Sequence, residues 1–543
     1  MAALHARRHR SPPWTKNLAD STSSLYRVHV ARSLPRPRRV LVPALLGLGC
    51  IAGLGFACPE SAPEANASPP PSLVAPAEPE PPATFEGKID LLLSEAALPD
   101  TVQIGISVID LDTGATIYAK NPDLALNPAS NAKLLTTAAA LELLGPEHRY
   151  ATRIWTDHEG VVDGVVTGNL YLQGSGDPSL VTGEMYELAG MLVSAGITKV
   201  KGRIIVDATR YDKDGWPPGF DQKDEFASHR APAGATAVNY DTYELFARAG
   251  KTLGAAPQLS MNPPVAHYKL ETEATTVEGN RNQLWVAVDE NKKTGVVTIT
   301  FKGKIGIDAP PGDWRFPVAD PSRYAGELLA LVLREQGIKV GKGVETGGDV
   351  PKDADLLATH RSEPITDLIR SVNKQSNNFM AEAILRSFAC CDATTADASL
   401  EILRQWTRDI GMPQAGLRIG NGSGLYDNNR ISAAQLTWLL DYVHDDFRVR
   451  ADFMASLAIM GVDGTTKSRL SDSDAAGWIR VKTGTLDSVS ALSGYASAPG
   501  REPLAFAIVI NGLEAKHKLP ARKVQDAVAG LVRAEAVARA SAD

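Results

Sequence analysis

The order of apolar and polar positions divides this chain into stretches of distinct character. Residues 40–57 form an apolar run without a charge, behind Arg27, Arg32, Arg36, Arg38 and Arg39. Residues 59–84 consist mainly of Pro, Ala, Glu and Ser; such a segment cannot bury a core and is expected to be an extended spacer. From Phe85 the pattern is that of a folded body. A helix is expected over 85–96 and a strand over 103–110. The turn Asp112-Thr113-Gly114 leads to a second strand over 115–119. Strand, short turn and strand make a hairpin, so the sheet here is antiparallel. The next helix is expected over 130–144, where Gly145-Pro146 stops it.

Between 155 and 310 the apolar runs become short and alternating, at 170–173, 200–207, 284–288 and 296–301, punctuated by Gly, Pro, Asn and Asp. That predicts a mostly β region. Helical spacing returns at 325–336, 364–372, 378–388 and 398–410. Strands at 478–481, 490–496 and 504–510 and a long helix at 519–540 close the chain. The simplest organisation is an α+β domain in two parts, 85–154 and 319–543, interrupted by a large β-rich insert at 155–318.

Composition changes this picture mainly by exclusion. With 44% hydrophobic and 22% charged residues, the 543-residue chain reads as globular outside its first 85 positions. A net charge of -7 gives no basic footprint for nucleic acid, and 6% aromatics leave little for a stacking platform. The four cysteines are Cys50, Cys58, Cys390 and Cys391, with no zinc spacing and no disulfide framework; the adjacent pair is expected to serve packing. Neither a metal nor a cofactor is implied. The basic cluster followed by an apolar run over 1–58 is the layout of an export signal or anchor, so a periplasmic or cell-envelope protein is expected. Three readings fit that end: a cleaved signal, a lipoprotein signal with Cys58 as its acceptor, and an uncleaved anchor. The last two would tether the protein to a membrane.

The candidate chemistry begins at Ser130-Asn131-Ala132-Lys133. Serine and lysine three apart share a helical face, and a neutral lysine can take the serine proton without any histidine. Alone the pattern carries little, because it recurs at Ser371-Val372-Asn373-Lys374. Order carries more. Ser376-Asn377-Asn378 and then Lys482-Thr483-Gly484-Thr485 follow Ser130 and Lys133, giving a Ser/Lys pair, a Ser-x-Asn and a Lys-Thr-Gly. Two decoys compete. Lys293-Thr294-Gly295 follows a polar stretch and is expected in a solvated turn, whereas Lys482 follows a strand. Ser371-Val372-Asn373 also fits Ser-x-Asn, and spacing alone does not dismiss it.

With these motifs the chain resembles the class C penicillin-binding proteins, D-alanyl-D-alanine carboxypeptidase/endopeptidases of penicillin-binding protein 4 type, from about residue 85 to the end. Asn127-Pro-Ala-Ser-Asn-Ala-Lys133, Gly174-Ser-Gly-Asp-Pro178, Val372-Asn-Lys-Gln-Ser-Asn-Asn378, Asn421-Gly-Ser-Gly-Leu425, Asn429-Arg-Ile-Ser432, Gly461-Val-Asp-Gly-Thr465 and Val481-Lys-Thr-Gly-Thr485 carry the likeness. The resemblance implies a penicillin-recognising, β-lactamase-like α+β domain, an antiparallel sheet with helices, holding a large insert. It selects Ser376 over Ser371. It implies Ser130, Lys133 and Ser376 as catalytic residues, and Asn378, Lys482, Thr483, Gly484 and Thr485 as substrate-binding ones. Backbone N–H groups of Ser130 and Thr485 would form the oxyanion hole. Peptidoglycan stem peptides are the implied substrates and β-lactams the covalent inhibitors. The runs at 421–425 and 461–465 are expected to be framework, with Asp463 a candidate supporting group.

Other nucleophile systems fit worse. No Gly-x-Ser-x-Gly elbow exists, and the ten histidines, His148, His229, His360 and His444 among them, form no HExxH pattern. The rival functions are a serine β-lactamase and a catalytically silent cell-wall binding protein of the same fold.

Overall fold

The computed structural model describes residues 84–542, apart from 213–214, 224–226, 292 and 390–393. The expectations for the export segment, the spacer over 59–83 and all four cysteines lie outside the described residues. Among the described residues no helix is long and apolar enough to cross a membrane.

One sheet organises the catalytic half. Its strands are β1 (Gln103–Asp110), β2 (Thr116–Lys120), β3 (Ala458–Ile459), β4 (Ile479–Leu486), β5 (Val489–Ala496) and β6 (Leu504–Asn511). They lie in the order β3-β4-β5-β6-β1-β2, every pair antiparallel. β6 is apolar along nearly its whole length because both faces are covered, as a continuous apolar run implies. Leu504, Phe506, Ile508 and Ile510 share a core with Val524, Val528 and Val532 of the helix Lys518–Ala542. Ala505, Ala507 and Val509 pack with Leu436, Leu439 and Leu440 of the helix Ala433–Asp445. The small residues on that face let the helical layer come close. That layer also holds the helices Ala132–Leu143, Ile365–Gln375 and Asn378–Arg386, which bring the motifs together.

A second core holds the insert. Its five-stranded sheet runs Val344–Thr346, Ile204–Asp207, Leu170–Gln173, Ala151–Thr156, Asp355–Arg361. Smaller sheets include the strands Asn282–Asn291 and Val296–Gly306. Two observations extend the sequence reading. Ala151 and Arg361, which flank the expected stretch 155–318, pair with each other in this sheet. The helix Pro321–Glu335 also buries Tyr324, Leu328 and Val332 in this core. The β-rich stretch also contains the helix Thr182–Ser194, which buries Met185, Leu188, Ala189 and Leu192. It is needed because Leu170–Gln173 and Ile204–Asp207 are parallel neighbours, and parallel neighbours require a crossover.

Candidate active site

The Ser130 turn is built by clamping. Ser130 sits in a 3-10 turn, Ala129–Asn131, that runs directly into the helix Ala132–Leu143, so the helix starts two residues later than its pattern suggests. Ala129 has φ 47, a left-handed conformation that the surroundings must hold. Asn127 does much of this. Its Oδ1 accepts the Ala129 N–H (2.9 Å), and its Nδ2 donates to the Tyr426 carbonyl (2.9 Å). Its backbone exchanges two hydrogen bonds with the Asn511 side chain (2.8 and 3.0 Å) at the end of β6. β4 presses on the same turn: a Cβ at Gly484 would lie 2.7 Å from the Pro128 carbonyl.

Lys133 is fully buried beneath this turn. Its Nζ lies 3.0 Å from Ser130 Oγ, 2.7 Å from Asn378 Oδ1 and 2.6 Å from the Ser423 carbonyl. Burial pushes its ammonium down to about 7, against the opposing pull of the Glu382 carboxylate. An amine poised near neutrality and touching a hydroxyl can act as its base.

The second and third motifs meet opposite. Ser376 caps the helix Ile365–Gln375 in a left-handed conformation (φ 58, ψ 37). Asn377 then caps the next helix by accepting the Met380 N–H (3.0 Å). This sharp junction directs Ser376 to Lys482 and Asn378 to Lys133. Ser376 Oγ accepts from Lys482 Nζ at 2.9 Å, and the same amine donates to the Thr483 carbonyl at 2.8 Å. Lys482 is also fully buried, and desolvation first, with Lys133 nearby second, holds it well below the ordinary lysine range. Thr483 Oγ1 lies 2.7 Å from Thr465 Oγ1, and Thr485 is exposed one pleat further on. β5 pairs with all of β4, but β3 reaches only Arg480 and Val481. The edge of β4 from Lys482 onward is thus left for an extended chain to pair with.

The structure therefore brings all eight sequence-predicted residues into one region, with Ser130, Lys133 and Asn378 in one hydrogen-bonded group and Ser376 and Lys482 in the next. The decoys lie elsewhere. Ser371 is exposed, Asn373 donates to Thr137 and Ser456 in the core, and Lys374 pairs with Asp463. Lys293 and Thr294 are exposed in the turn between the strands Asn282–Asn291 and Val296–Gly306.

Other contributors were not singled out as site residues by the sequence. The 421–425 run, expected as framework, supplies the Ser423 carbonyl to Lys133. Glu382 is buried behind that run. The insert adds a wall: the His229 carbonyl accepts from Asn378 Nδ2 (3.3 Å), and Tyr240 meets Phe379 edge-on, rings 6.0 Å apart. Glu382 had a visible signal, a charge within the apolar run Phe379-Met-Ala-Glu-Ala-Ile-Leu385 and one helical turn after Asn378. The insert wall had none, because its contact to Asn378 is through a backbone carbonyl.

A serine/lysine pair under a helix start, a Ser-x-Asn cap and a Lys-Thr-Gly strand, set between an antiparallel sheet and a helical layer, define a penicillin-recognising serine acyl-enzyme. The chain belongs to the D-Ala-D-Ala carboxypeptidase 3 (S13) family, whose model matches residues 85–534. It is similar to the D-alanyl-D-alanine carboxypeptidase of Actinomadura sp. (strain R39), 33% identical over 81% of this chain and 83% of the relative. It is also similar to the D-alanyl-D-alanine carboxypeptidase DacB of Haemophilus influenzae, 26% identical over 78% of this chain and 89% of the relative. The crystal structure of penicillin-binding protein 4 (dacB) from H. influenzae shares its fold, with a TM-score of 0.70 at 23% identity, covering 83% of this chain and 99% of that one. The expected α+β fold and the expected class, a serine-type D-Ala-D-Ala carboxypeptidase of class C penicillin-binding type, both hold.

Proposed function

We propose that the enzyme removes the terminal D-Ala of peptidoglycan stem pentapeptides through an ester on Ser130. Ser130 Oγ attacks the penultimate D-Ala carbonyl while neutral Lys133 takes its proton. The backbone N–H groups of Ser130 and Thr485 receive the oxyanion. Ser376 passes a proton to the leaving amine, D-Ala departs, and water cleaves the ester by the reverse proton path. Asn378 orients the substrate amide. Lys482, Thr483 and Thr485 hold the terminal carboxylate, and Gly484 lets β4 lie close against the Ser130 turn. The contact between Lys133 Nζ and Ser130 Oγ at 3.0 Å carries this reading. The same chemistry extends to cross-link cleavage, where the leaving amine belongs to a second stem peptide.

Support for β-lactams as covalent inhibitors comes from penicillin-binding protein 4 of H. influenzae, solved in complex with a novel β-lactam. The basic and apolar pattern of the first 58 residues supports export to the periplasm or cell envelope, with lipid attachment at Cys58 as one form of tethering.

Labelling with a fluorescent penicillin, followed by peptide mass spectrometry, tests the reading together with D-Ala release from a pentapeptide. The adduct is expected on Ser130. Ser130→Ala abolishes labelling and Ser371→Ala keeps most of it. An adduct on Ser371 would overturn the assignment; a protein that never labels is a silent binder, and one that labels only transiently is a β-lactamase.

A further inference from the structure

Glu382 is a carboxylate in the core, 2% exposed, on the helix Asn378–Arg386 one turn beyond Asn378. Its Oε1 accepts the Ser423 N–H at 2.7 Å and its Oε2 the Gly422 N–H at 3.2 Å. The carbonyl of that same Ser423 accepts from Lys133 Nζ at 2.6 Å, and Thr136 Oγ1 holds the Gly422 carbonyl at 2.8 Å. Residues 422–423 are thus gripped through their N–H groups by one helix and present their carbonyls to another. Burying a charge is unfavourable, and a neutral residue of similar size would suit a core at least as well if the charge had no task.

We infer that Glu382 is a positioning residue for the Ser130/Lys133 pair: it fixes the Ser423 carbonyl against Nζ of Lys133, and its negative charge sets the pH range in which Lys133 can accept the serine proton. This rests on the reading of Ser130 and Lys133 as nucleophile and base. The charged groups around the pair are few. Lys133 faces Glu382 from one helix and Lys482 from β4, while 421–425 carries no titratable side chain. Glu382 faces Lys133; Arg386, one turn on, is engaged by Asp212 and the Ala233 carbonyl. On the helix Ile365–Gln375, Lys374 is paired with Asp463. Burial favours the neutral amine, and Glu382 opposes it. Removing its charge should let Lys133 lose its proton at lower pH.

The test is the second-order rate of acylation by a fluorescent penicillin from pH 5 to 9, on wild type, Glu382→Gln and Glu382→Asp, with thermal melts of each. The wild-type rate should rise through about pH 7, the value to which burial brings Lys133. In Glu382→Gln the rising limb should move about one pH unit lower, as expected for loss of a nearby opposite charge. Its plateau should also fall, because an amide nitrogen now confronts an amide donor. Glu382→Asp keeps the charge but retracts it, so the limb should stay and the plateau fall about tenfold or more, the scale of one lost charge-assisted bond. A folded Glu382→Gln variant whose limb does not move overturns the inference, whatever its plateau. If Glu382→Gln does not fold, Glu382→Asp decides, and wild-type rates at every pH overturn it. Absence of a Ser130 adduct in the wild type would instead remove the underlying nucleophile assignment.

Discussion

Lys133 and Lys482 are both buried in one site and both held below the ordinary lysine range, Lys133 by burial and Lys482 by burial and then by Lys133, and the consequence differs for the two. Lys133 works as a base without its proton, whereas Lys482 attracts a substrate carboxylate only with it. Amidating the C-terminus of a pentapeptide should lower kcat/KM by roughly 10- to 150-fold, from about 1.5–3 kcal/mol for a charge-assisted contact. Lys482→Ala should narrow that gap. Because desolvation and Lys133 hold Lys482 below its usual range, rising pH strips its proton early. The acid-over-amide preference should therefore shrink as pH rises, measured as the ratio of kcat/KM values at two pH values; equal turnover of acid and amide at low pH would give β4 another role. At this scale the sequence was informative where a short linear pattern carries the chemistry, as at Ser130-Asn-Ala-Lys133. Spacing alone did not separate Ser371 from Ser376, which the resemblance selected, because only three-dimensional placement distinguishes an exposed helical serine from one in a left-handed cap.

β4 crosses the Ser130 turn at close range. A Cβ at Gly484 would stand 2.7 Å from the Pro128 carbonyl and 3.1 Å from the Ala129 side chain. Neither can withdraw easily, since Asn127 and Asn511 tie the turn to β6. Gly484→Ala should lower stability by about 1–3 kcal/mol, as overpacking does, and depress acylation much further by moving Ser130. A thermal melt and a labelling rate separate the two effects; unchanged labelling would show that the turn yields without harm. Legibility at this scale followed periodicity. β6 and the helix Lys518–Ala542 were plain because an apolar run and a 3.6-residue stripe are long signals. The helix Thr182–Ser194 has such a stripe too, but Gly183 and Gly190 lie within it and weaken its intrinsic preference.

For the molecule as a whole, the insert is part of the site as well as an appendage to it. Arg386, 2% exposed and on the same helix as Asn378, donates to the Ala233 carbonyl (3.0 Å), pairs with Asp212 and stacks over Tyr211. Arg386→Ala should cost about 3 kcal/mol in denaturant unfolding, the lower end for breaking a buried pair, since Asp212 is partly exposed. It should also reduce kcat/KM by loosening the wall that ends at His229; wild-type kinetics in a destabilised variant would confine the insert to a scaffold. Turn-rich composition, which marks 155–318, does not report which core a helix such as Pro321–Glu335 joins. Ala151 and Arg361, on either side of that stretch, lie opposite each other. β1, by contrast, finds its second partner in β6, almost at the far end of the chain. During synthesis Ala151 and Arg361 can therefore pair while β1 still has only β2 beside it. The pairing of β1 with β6 must await the last strand, so the sheet of the catalytic half is expected to close only after residues 504–511 have been made.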